Sequence, residues 1–232
     1  MKTFIVLVFM MISLNSIAQV AQSNADWANL KKYATKNQQL KPPAKGENRV
    51  VFMGNSITEF WRITDSAFFI KNNYIDRGIS GQTTPQMLMR FRPDVIDLKP
   101  AVVVILAGIN DIAENTGPIT LENIYGNIIS MVQLACANNI KVVVSSVLPA
   151  NNFPWRPQIK PAEKVIALNS MLEAYCKTNN IVYLDYYSNI VDDQKGLDKK
   201  YTEDGVHPTL AGYKVMEPLV EQAIKKALSQ KE

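Results

Sequence analysis

Histidine occurs once in this 232-residue chain, as His207 in the segment Asp204-Gly-Val-His207-Pro. Only histidine has an ordinary pKa near neutrality, so general-base catalysis by an imidazole would depend on His207. Asp204 could hold the ring in one tautomer, as a serine–histidine–acid arrangement requires. A single histidine excludes an HExxH pair and a three-histidine zinc centre. We expect no metal and no other cofactor.

Three other segments that could carry chemistry each follow an apolar run: GNSIT at Ser56, GISGQ at Gly81 and GIND at Asn110. A serine at a strand-to-helix turn presents its hydroxyl near the positive end of the next helix, although it could equally be an N-cap. The glycine could expose a main-chain N–H group to an oxyanion, and the asparagine could add a side-chain N–H group. Simple turns are the alternative for both.

The elements that must position these residues alternate along the chain. Apolar runs rich in valine and isoleucine predict buried strands at 49–53, 73–77, 101–107, 141–147 and 181–185. Segments of helical period lie between them, and three begin after Thr120, at Pro161 and after Thr209. This alternation predicts a three-layer α/β/α sandwich with a five-stranded parallel sheet. Ligands bind beyond the carboxyl ends of such strands, where the unusual residues stand.

Each signal is weak alone, but together they form an ordered set that resembles the SGNH, or GDSL-type, hydrolases. The resemblance implies the flavodoxin-like fold of that family. It implies that Ser56 is the nucleophile, His207 the general base and Asp204 the residue that orients the ring. It also implies an oxyanion hole made by the main-chain N–H groups of Ser56 and Gly81 and the side-chain amide of Asn110.

The chain departs from the family pattern at three positions. Asn55 and Ile57 replace the aspartate and leucine of the Gly-Asp-Ser-Leu sequence found in many members, and Gln82 stands where an acid is frequent. An asparagine can still form hydrogen bonds but carries no charge. These departures concern the local electrostatics more than the identity of the nucleophile.

The loop after the fourth predicted strand, at 149–157, suggests the kind of ester. It carries Phe153, Trp155 and Arg156 between prolines, and Trp61 follows the nucleophile segment. Aromatic rings and an arginine could hold a sugar ring or an acidic group. The alternative for Trp155 is that it packs the loop onto the core. The chain contains no long apolar insertion of the kind that forms the lid of a triglyceride lipase.

We therefore expect a serine esterase that hydrolyses small acyl esters, above all acetyl esters on carbohydrate, through an acyl-Ser56 intermediate. The family resemblance leaves a lysophospholipase or thioesterase type of acylhydrolase as an alternative. A third hypothesis is a non-catalytic extracellular glycan-binding protein on the same fold.

The two ends of the chain divide it into regions. Residues 1–18, with Lys2 before an apolar run and Ser16-Ile-Ala at the end, read as a secretory signal peptide. The run of about 11 residues is too short to span a bilayer, so we expect export to the periplasm or beyond the cell. Residues 19–46 should hold a helix at 26–37 and a linker, and 47–232 the hydrolase domain. A net charge of +4 without a basic cluster does not favour nucleic acid binding.

Two cysteines, Cys136 and Cys176, each end a predicted helix that leads into a strand. The axes of packed helices lie about 8–10 Å apart. Disulfides usually need Cα atoms within about 7 Å. In an exported chain a disulfide is the alternative, but this geometry favours two free, buried thiols.

Overall fold

A computed structural model describes residues 26–230. The strands are β1 (Val50–Gly54), β2 (Tyr74–Gly78), β3 (Val102–Leu106), β4 (Lys141–Ser145) and β5 (Val182–Leu184). The α-helices are α1 (Lys31–Gln39), α2 (Ser56–Thr64), α3 (Ser66–Asn72), α4 (Thr84–Asp94), α5 (Ile109–Ile112), α6 (Leu121–Cys136), α7 (Ala162–Thr178), α8 (Tyr187–Ile190) and α9 (Leu210–Ser229). Each strand begins and ends within two residues of its predicted bounds. The predicted signal peptide lies outside the described residues and stays a prediction.

The five strands form one parallel sheet with the order β2-β1-β3-β4-β5. Every residue of β1 and β3 is buried, because helices cover both faces of the sheet. This burial explains why these strands read as continuous apolar runs rather than as alternating ones. All carboxyl ends lie at the same edge, so residues that follow different strands can meet there.

Helices cover the sheet in two layers, as the alternation of elements predicts. Helices α2, α3 and α9 pack on one face, and α4, α6 and α7 pack on the other. The three predicted helix starts are confirmed, since α6, α7 and α9 begin directly after Thr120, Pro161 and Thr209. The hydroxyl of Thr120 accepts a hydrogen bond from the amide of Asn123 at 3.2 Å and so caps α6. The predicted sandwich is thus confirmed.

The N-terminal helix begins later than the predicted range 26–37. Asn29 has a φ of 53°, in the left-handed region, which interrupts helical geometry at that point. The carboxylate of Asp26 accepts hydrogen bonds from the amides of Leu30 and Lys31 at 2.7 and 3.1 Å. Residues 26–29 are therefore a capped turn, and the helix proper starts at Lys31.

Helix α1 packs against α4 and forms hydrogen bonds with the end of the edge strand β2. The hydroxyl of Tyr33 donates a hydrogen bond to the main-chain oxygen of Gly78 at 2.5 Å. The guanidinium of Arg77 donates to the side-chain oxygen of Asn37 at 2.6 and 2.9 Å. These contacts attach α1 to the strand end that leads into the Gly81 loop.

Both cysteines are free, as predicted, but only one is buried. Cys176 is buried, whereas Cys136 is exposed at the end of α6. The prediction of burial for Cys136 was wrong because the last turn of α6 reaches the surface. Within residues 26–230, no helix combines the length and apolar character needed to cross a membrane.

Candidate active site

The turn between β1 and α2 fixes the position of Ser56. The side chain of Asn55 accepts a hydrogen bond from the amide of Ile57 at 3.0 Å and caps the helix. A Cβ on Gly54 would lie 2.0 Å from Oγ1 of Thr58, so the strand approaches the helix too closely for a side chain. Ser56 therefore stands at the first turn of α2, at the carboxyl edge of the sheet.

Ser56, His207 and Asp204 form one continuous line of hydrogen bonds. The Oγ atom of Ser56 lies 2.8 Å from Nε2 of His207. The Nδ1 atom of the same ring lies 2.6 Å from Oδ2 of Asp204. Nδ1–H donation to the carboxylate leaves the lone pair of Nε2 directed at the serine hydroxyl, which is the tautomer that a general base needs.

The Asp204 turn is itself held by its neighbours. The Oδ1 atom of Asp204 accepts the amides of Val206 and His207 at 2.9 and 2.8 Å. The hydroxyl of Thr202 donates to the main-chain oxygen of His207 at 2.8 Å. Partial burial acts to raise the pKa of Asp204, but the hydrogen bonds from His207 and Val206 outweigh it and lower that pKa below its ordinary value. The carboxylate is therefore held in its ionised form.

Three N–H groups are the predicted donors to an oxyanion beside Ser56. Among the hydrogen bonds of residues 26–230, none uses the main-chain amide of Ser56 or of Gly81 as a donor. Gly81 has a φ of 77°, a conformation that glycine adopts without strain. The Nδ2 atom of Asn110 donates to the main-chain oxygen of Gln82 at 3.0 Å, which leaves its second hydrogen available. The three groups follow β1, β2 and β3, as the sequence predicts.

A buried arginine, which the sequence analysis missed, connects the serine turn to the Gly81 loop. Arg90 in α4 is completely buried and donates Nη2 to the main-chain oxygen of Gly54 at 2.8 Å. Its Nε donates to the side-chain oxygen of Gln82, and its Nη1 pairs with Asp94 at 2.9 Å. The Nε2 atom of Gln82 donates to the oxygen of Ala28 at 2.7 Å. The i,i+4 spacing of Arg90 and Asp94 was the available signal.

A second buried group, Asp111, lies next to Asn110 in the short helix α5. The carboxylate of Asp111 accepts hydrogen bonds from the amide of Thr84 at 2.9 and 3.0 Å and from its hydroxyl at 2.6 Å. Burial raises the pKa of Asp111 to about 6, even though these hydrogen bonds act in the opposite direction. The contact ties the start of α4 to the short helix that carries Asn110.

Two of the four predicted substrate contacts are wrong. Trp61 is 1% exposed and stacks between Phe68 and Tyr213, at centroid distances of 5.3 and 5.2 Å. Phe153 is fully buried as well, because it anchors its loop in the core. These two rings cannot touch a substrate at the surface, since the aromatic core already surrounds them.

The other two residues of that loop remain accessible. Trp155 is 46% exposed and packs against Phe153 at a centroid distance of 5.2 Å. Arg156 is partly exposed, and its amide donates to the oxygen of Phe153 at 2.9 Å. The ring that packs the loop onto the core is thus Phe153, and Trp155 faces solvent.

An aromatic side chain that the sequence analysis missed lies directly beside the imidazole. The ring of Phe60 lies 5.1 Å from that of His207, centroid to centroid, at 46°. It is 37% exposed. Helical spacing was the available signal, because a residue four positions after Ser56 shares its face of α2.

The sequence and the fold of this chain are similar to those of known proteins. Residues 52–215 match the GDSL-like Lipase/Acylhydrolase family. A GDSL-like lipase from Bacteroides thetaiotaomicron is 56% identical, with a TM-score of 0.85 over 86% of this chain and 98% of that chain. An acylhydrolase homologue from Bacteroides fragilis is also 56% identical, with a TM-score of 0.86 over 88% of this chain and 99% of that chain.

More distant proteins share the fold or a part of the sequence. An acetylxylan esterase from Geobacillus stearothermophilus is 18% identical, with a TM-score of 0.61 over 80% of this chain and 97% of that chain. The uncharacterized lipoprotein YqeF of Bacillus subtilis is 30% identical over 78 residues, which make up 32% of each protein. The match thus spans about a third of that relative.

Proposed function

This chain belongs to the GDSL-like lipase/acylhydrolase family, and we propose that it is an exported serine esterase. The proposed substrates are small acyl esters, above all acetyl esters, on carbohydrate. The observation that carries the proposal is the unbroken line from Asp204 through His207 to the hydroxyl of Ser56, at 2.6 and 2.8 Å. Such a line serves to remove the serine proton during attack on a carbonyl.

In the proposed acylation step, Oγ of Ser56 attacks the ester carbonyl carbon as Nε2 of His207 takes its proton. The carbonyl oxygen becomes an oxyanion, which the amides of Ser56 and Gly81 and the side chain of Asn110 stabilise. The imidazolium then gives its proton to the alcohol oxygen, the C–O bond breaks, and an acyl-Ser56 ester remains. Asp204 stabilises the positive ring meanwhile, because its lowered pKa keeps it charged.

In the proposed deacylation step, His207 takes a proton from water, and the resulting nucleophile attacks the acyl-Ser56 carbonyl. The same three donors stabilise the second oxyanion. The proton returns to Oγ of Ser56 as the carboxylic acid leaves, so the enzyme is regenerated without a cofactor.

One observation supports a carbohydrate ester. Trp155 and Arg156 are accessible on the loop that follows β4, at the carboxyl edge of the sheet where ligands bind. An acetylxylan esterase has the same fold, although at 18% identity this likeness concerns the fold alone. Export is supported by the signal-like sequence at 1–18 and by partial similarity to a lipoprotein.

The first test is covalent labelling of the purified protein by a fluorophosphonate, with the modified peptide identified by mass spectrometry. We expect label on Ser56, hydrolysis of p-nitrophenyl acetate by the wild type, and no turnover by Ser56→Ala or His207→Ala. Ser188→Ala, an exposed serine in α8, is the matched control and should behave as wild type. Turnover near the wild-type rate in either active-site variant would overturn the serine mechanism.

The second test measures release of acetate or fatty acid from acetylated xylan, acetylated pectin, acetylated sialic acid and lysophosphatidylcholine. Preference for a carbohydrate supports the proposed substrate class. Preference for the lysophospholipid would favour the acylhydrolase alternative. Binding of glycan without labelling or turnover would instead identify a non-catalytic binding protein.

A further inference from the structure

The face of α2 that carries Ser56 also carries two exposed apolar side chains. Phe60 and Ile63 follow Ser56 by four and seven residues, so all three lie on one side of the helix. Phe60 is 37% exposed and Ile63 is 71% exposed. Trp61, between them in sequence, faces the opposite way and is buried. The apolar surface thus begins at the proposed nucleophile and continues outward for about 10 Å, at 1.5 Å per residue.

The charged neighbours of Phe60 are held by other partners. The carboxylate of Glu59 accepts hydrogen bonds from the amide and hydroxyl of Ser80 at 2.7 and 2.6 Å and pairs with Lys32. The guanidinium of Arg62 donates to the main-chain oxygen of Ser66 at 3.2 Å. Both charged groups therefore bind partners other than Phe60, and the exposed side of Phe60 stays apolar.

The position of Phe60 relative to the imidazole defines which half of an ester it would meet. The ring of Phe60 lies beside that of His207 at 5.1 Å between centroids. To protonate the departing alcohol, Nε2 must lie about 3 Å from the alcohol oxygen. The oxyanion, by contrast, must lie toward the amide of Gly81 and the side chain of Asn110. Phe60 thus lies beside the ring that must reach the alcohol oxygen, and we take the alcohol as the part of the ester nearest to it.

We propose that Phe60 is the platform for the alcohol half of the ester, and that this alcohol is a sugar ring whose apolar C–H face packs on the phenyl ring. This inference rests on the proposed serine esterase function and specifies its substrate side. Ile63 extends the platform by one helical turn, which is enough for a second ring-sized unit. An open surface of two side chains fits rings better than a long acyl chain, which needs an enclosed apolar groove.

The test compares acetyl esters that differ only in the alcohol: ethyl acetate and xylose tetraacetate, with lysophosphatidylcholine as the lipid comparison. We expect Phe60→Ala to raise KM for the sugar ester about two- to tenfold, the range for one aromatic contact, with little change in kcat. For ethyl acetate, KM should stay near the wild-type value. Phe60→Tyr keeps the ring and should restore the sugar KM.

Ile70→Ala is the matched control, because Ile70 is 67% exposed on α3 and lies outside the proposed platform. Equal losses on the sugar ester and ethyl acetate, or a changed pH–rate profile, would mean that Phe60 acts through His207 and would overturn the platform. Unchanged kinetics on every ester would also overturn it, as would a loss confined to lysophosphatidylcholine. None of these outcomes affects the serine mechanism, which fails if Ser56→Ala or His207→Ala turns over substrate near the wild-type rate.

Discussion

Asp204 binds both the ring and the backbone of His207. One carboxylate oxygen lies 2.6 Å from Nδ1 of the imidazole, and the other accepts the amide of His207 at 2.8 Å. The same acid therefore orients the general base and shapes the turn that presents it. Substitution by asparagine separates the two roles, because its side-chain oxygen can still accept the amide while its nitrogen faces the ring.

We predict that Asp204→Asn lowers kcat on p-nitrophenyl acetate by about 10³–10⁴-fold. The Nδ2 donor would face Nδ1 and favour the tautomer with a proton on Nε2, which cannot accept the proton of Ser56. The thermal unfolding midpoint should change little, since the turn keeps its acceptor. Asp198→Asn, in a nearby turn, is the control and should leave kcat unchanged. A kcat for Asp204→Asn within tenfold of wild type would exclude the orienting role.

The order of motifs at strand ends made the main site predictable. Ser56, Gly81 and Asn110 each follow a strand by a few residues, and parallel strands bring their carboxyl ends together regardless of loop detail. The sheet followed from the same local signal, because continuous valine-rich runs are typical of strands covered on both faces. Both inferences need only short-range information along the chain.

The wrong predictions concern residues whose burial is decided by which side of a helix packs against the core. Trp61 and Phe60 are adjacent, and only the packing of α2 against Phe68 and Tyr213 decides that Trp61 is the buried one. Periodicity from Ser56 alone would have favoured Phe60, as the residue on the same face. Arg90 was missed for a different reason, since its contact with Gly54 spans 36 residues and joins elements that no local pattern relates.

A prediction on the Gly81 loop follows from the two hydrogen bonds of the Gln82 side chain. Gln82→Met loses both the contact with Arg90 and the contact with Ala28 and leaves a buried donor unpaired. The main-chain oxygen of Gln82 also accepts the hydrogen bond that positions Asn110. We therefore expect kcat to fall at least about tenfold, which is less than the loss of about 10²–10³ for a missing oxyanion donor. Gln82→Glu keeps the acceptor for Arg90 and should lose less.

Steady-state kinetics on p-nitrophenyl acetate, with urea unfolding of each variant, would test this prediction. Gln222→Met, at an exposed position in α9, is the control. A kcat for Gln82→Met equal to that of wild type would show that the loop holds its position without this side chain. Equal losses for Gln82→Met and Gln82→Glu would assign the effect to Ala28 rather than to Arg90.

A pair of glycine substitutions tests how closely α2 must approach the sheet. A Cβ on Gly78 would lie 2.2 Å from the main-chain nitrogen of Glu59, so Gly78→Ala must displace backbone. We expect it to lower the free energy of unfolding by about 3 kcal/mol. Gly126→Ala lies within α6, where the added Cβ meets nothing within 4 Å, and should stabilise the protein by about 0.5–1 kcal/mol. Urea unfolding at one pH compares both, and destabilisation of similar size in the two variants would contradict the close approach.

The raised pKa of Asp111 predicts a pH dependence of stability. Burial raises this pKa from 3.8 to about 6, so the folded state holds its proton at a higher pH than the unfolded chain does. The stability that the protonated carboxyl contributes is fully present below the pKa of Asp111 in the unfolded chain. It is lost as the pH rises through the higher pKa of the folded state. A pKa raised from 3.8 to about 6 corresponds to a contribution on the order of 3 kcal/mol. Asp76, whose pKa burial also raises to about 6, adds a loss of the same sign.

We therefore predict that Asp111→Asn removes part of the decline in stability between pH 4 and pH 7. The asparagine stays neutral at every pH in this range and keeps an oxygen for the amide and hydroxyl of Thr84. Free energies of unfolding from urea titrations at pH 4.5 and pH 7.5 give the decline for wild type and for each variant. Asp97→Asn, at an exposed carboxylate, is the control and should keep the wild-type decline. If Asp111→Asn shows the same decline as the wild type, then the carboxyl group of Asp111 titrates alike in the folded and unfolded chains. Burial would then not raise the pKa of Asp111.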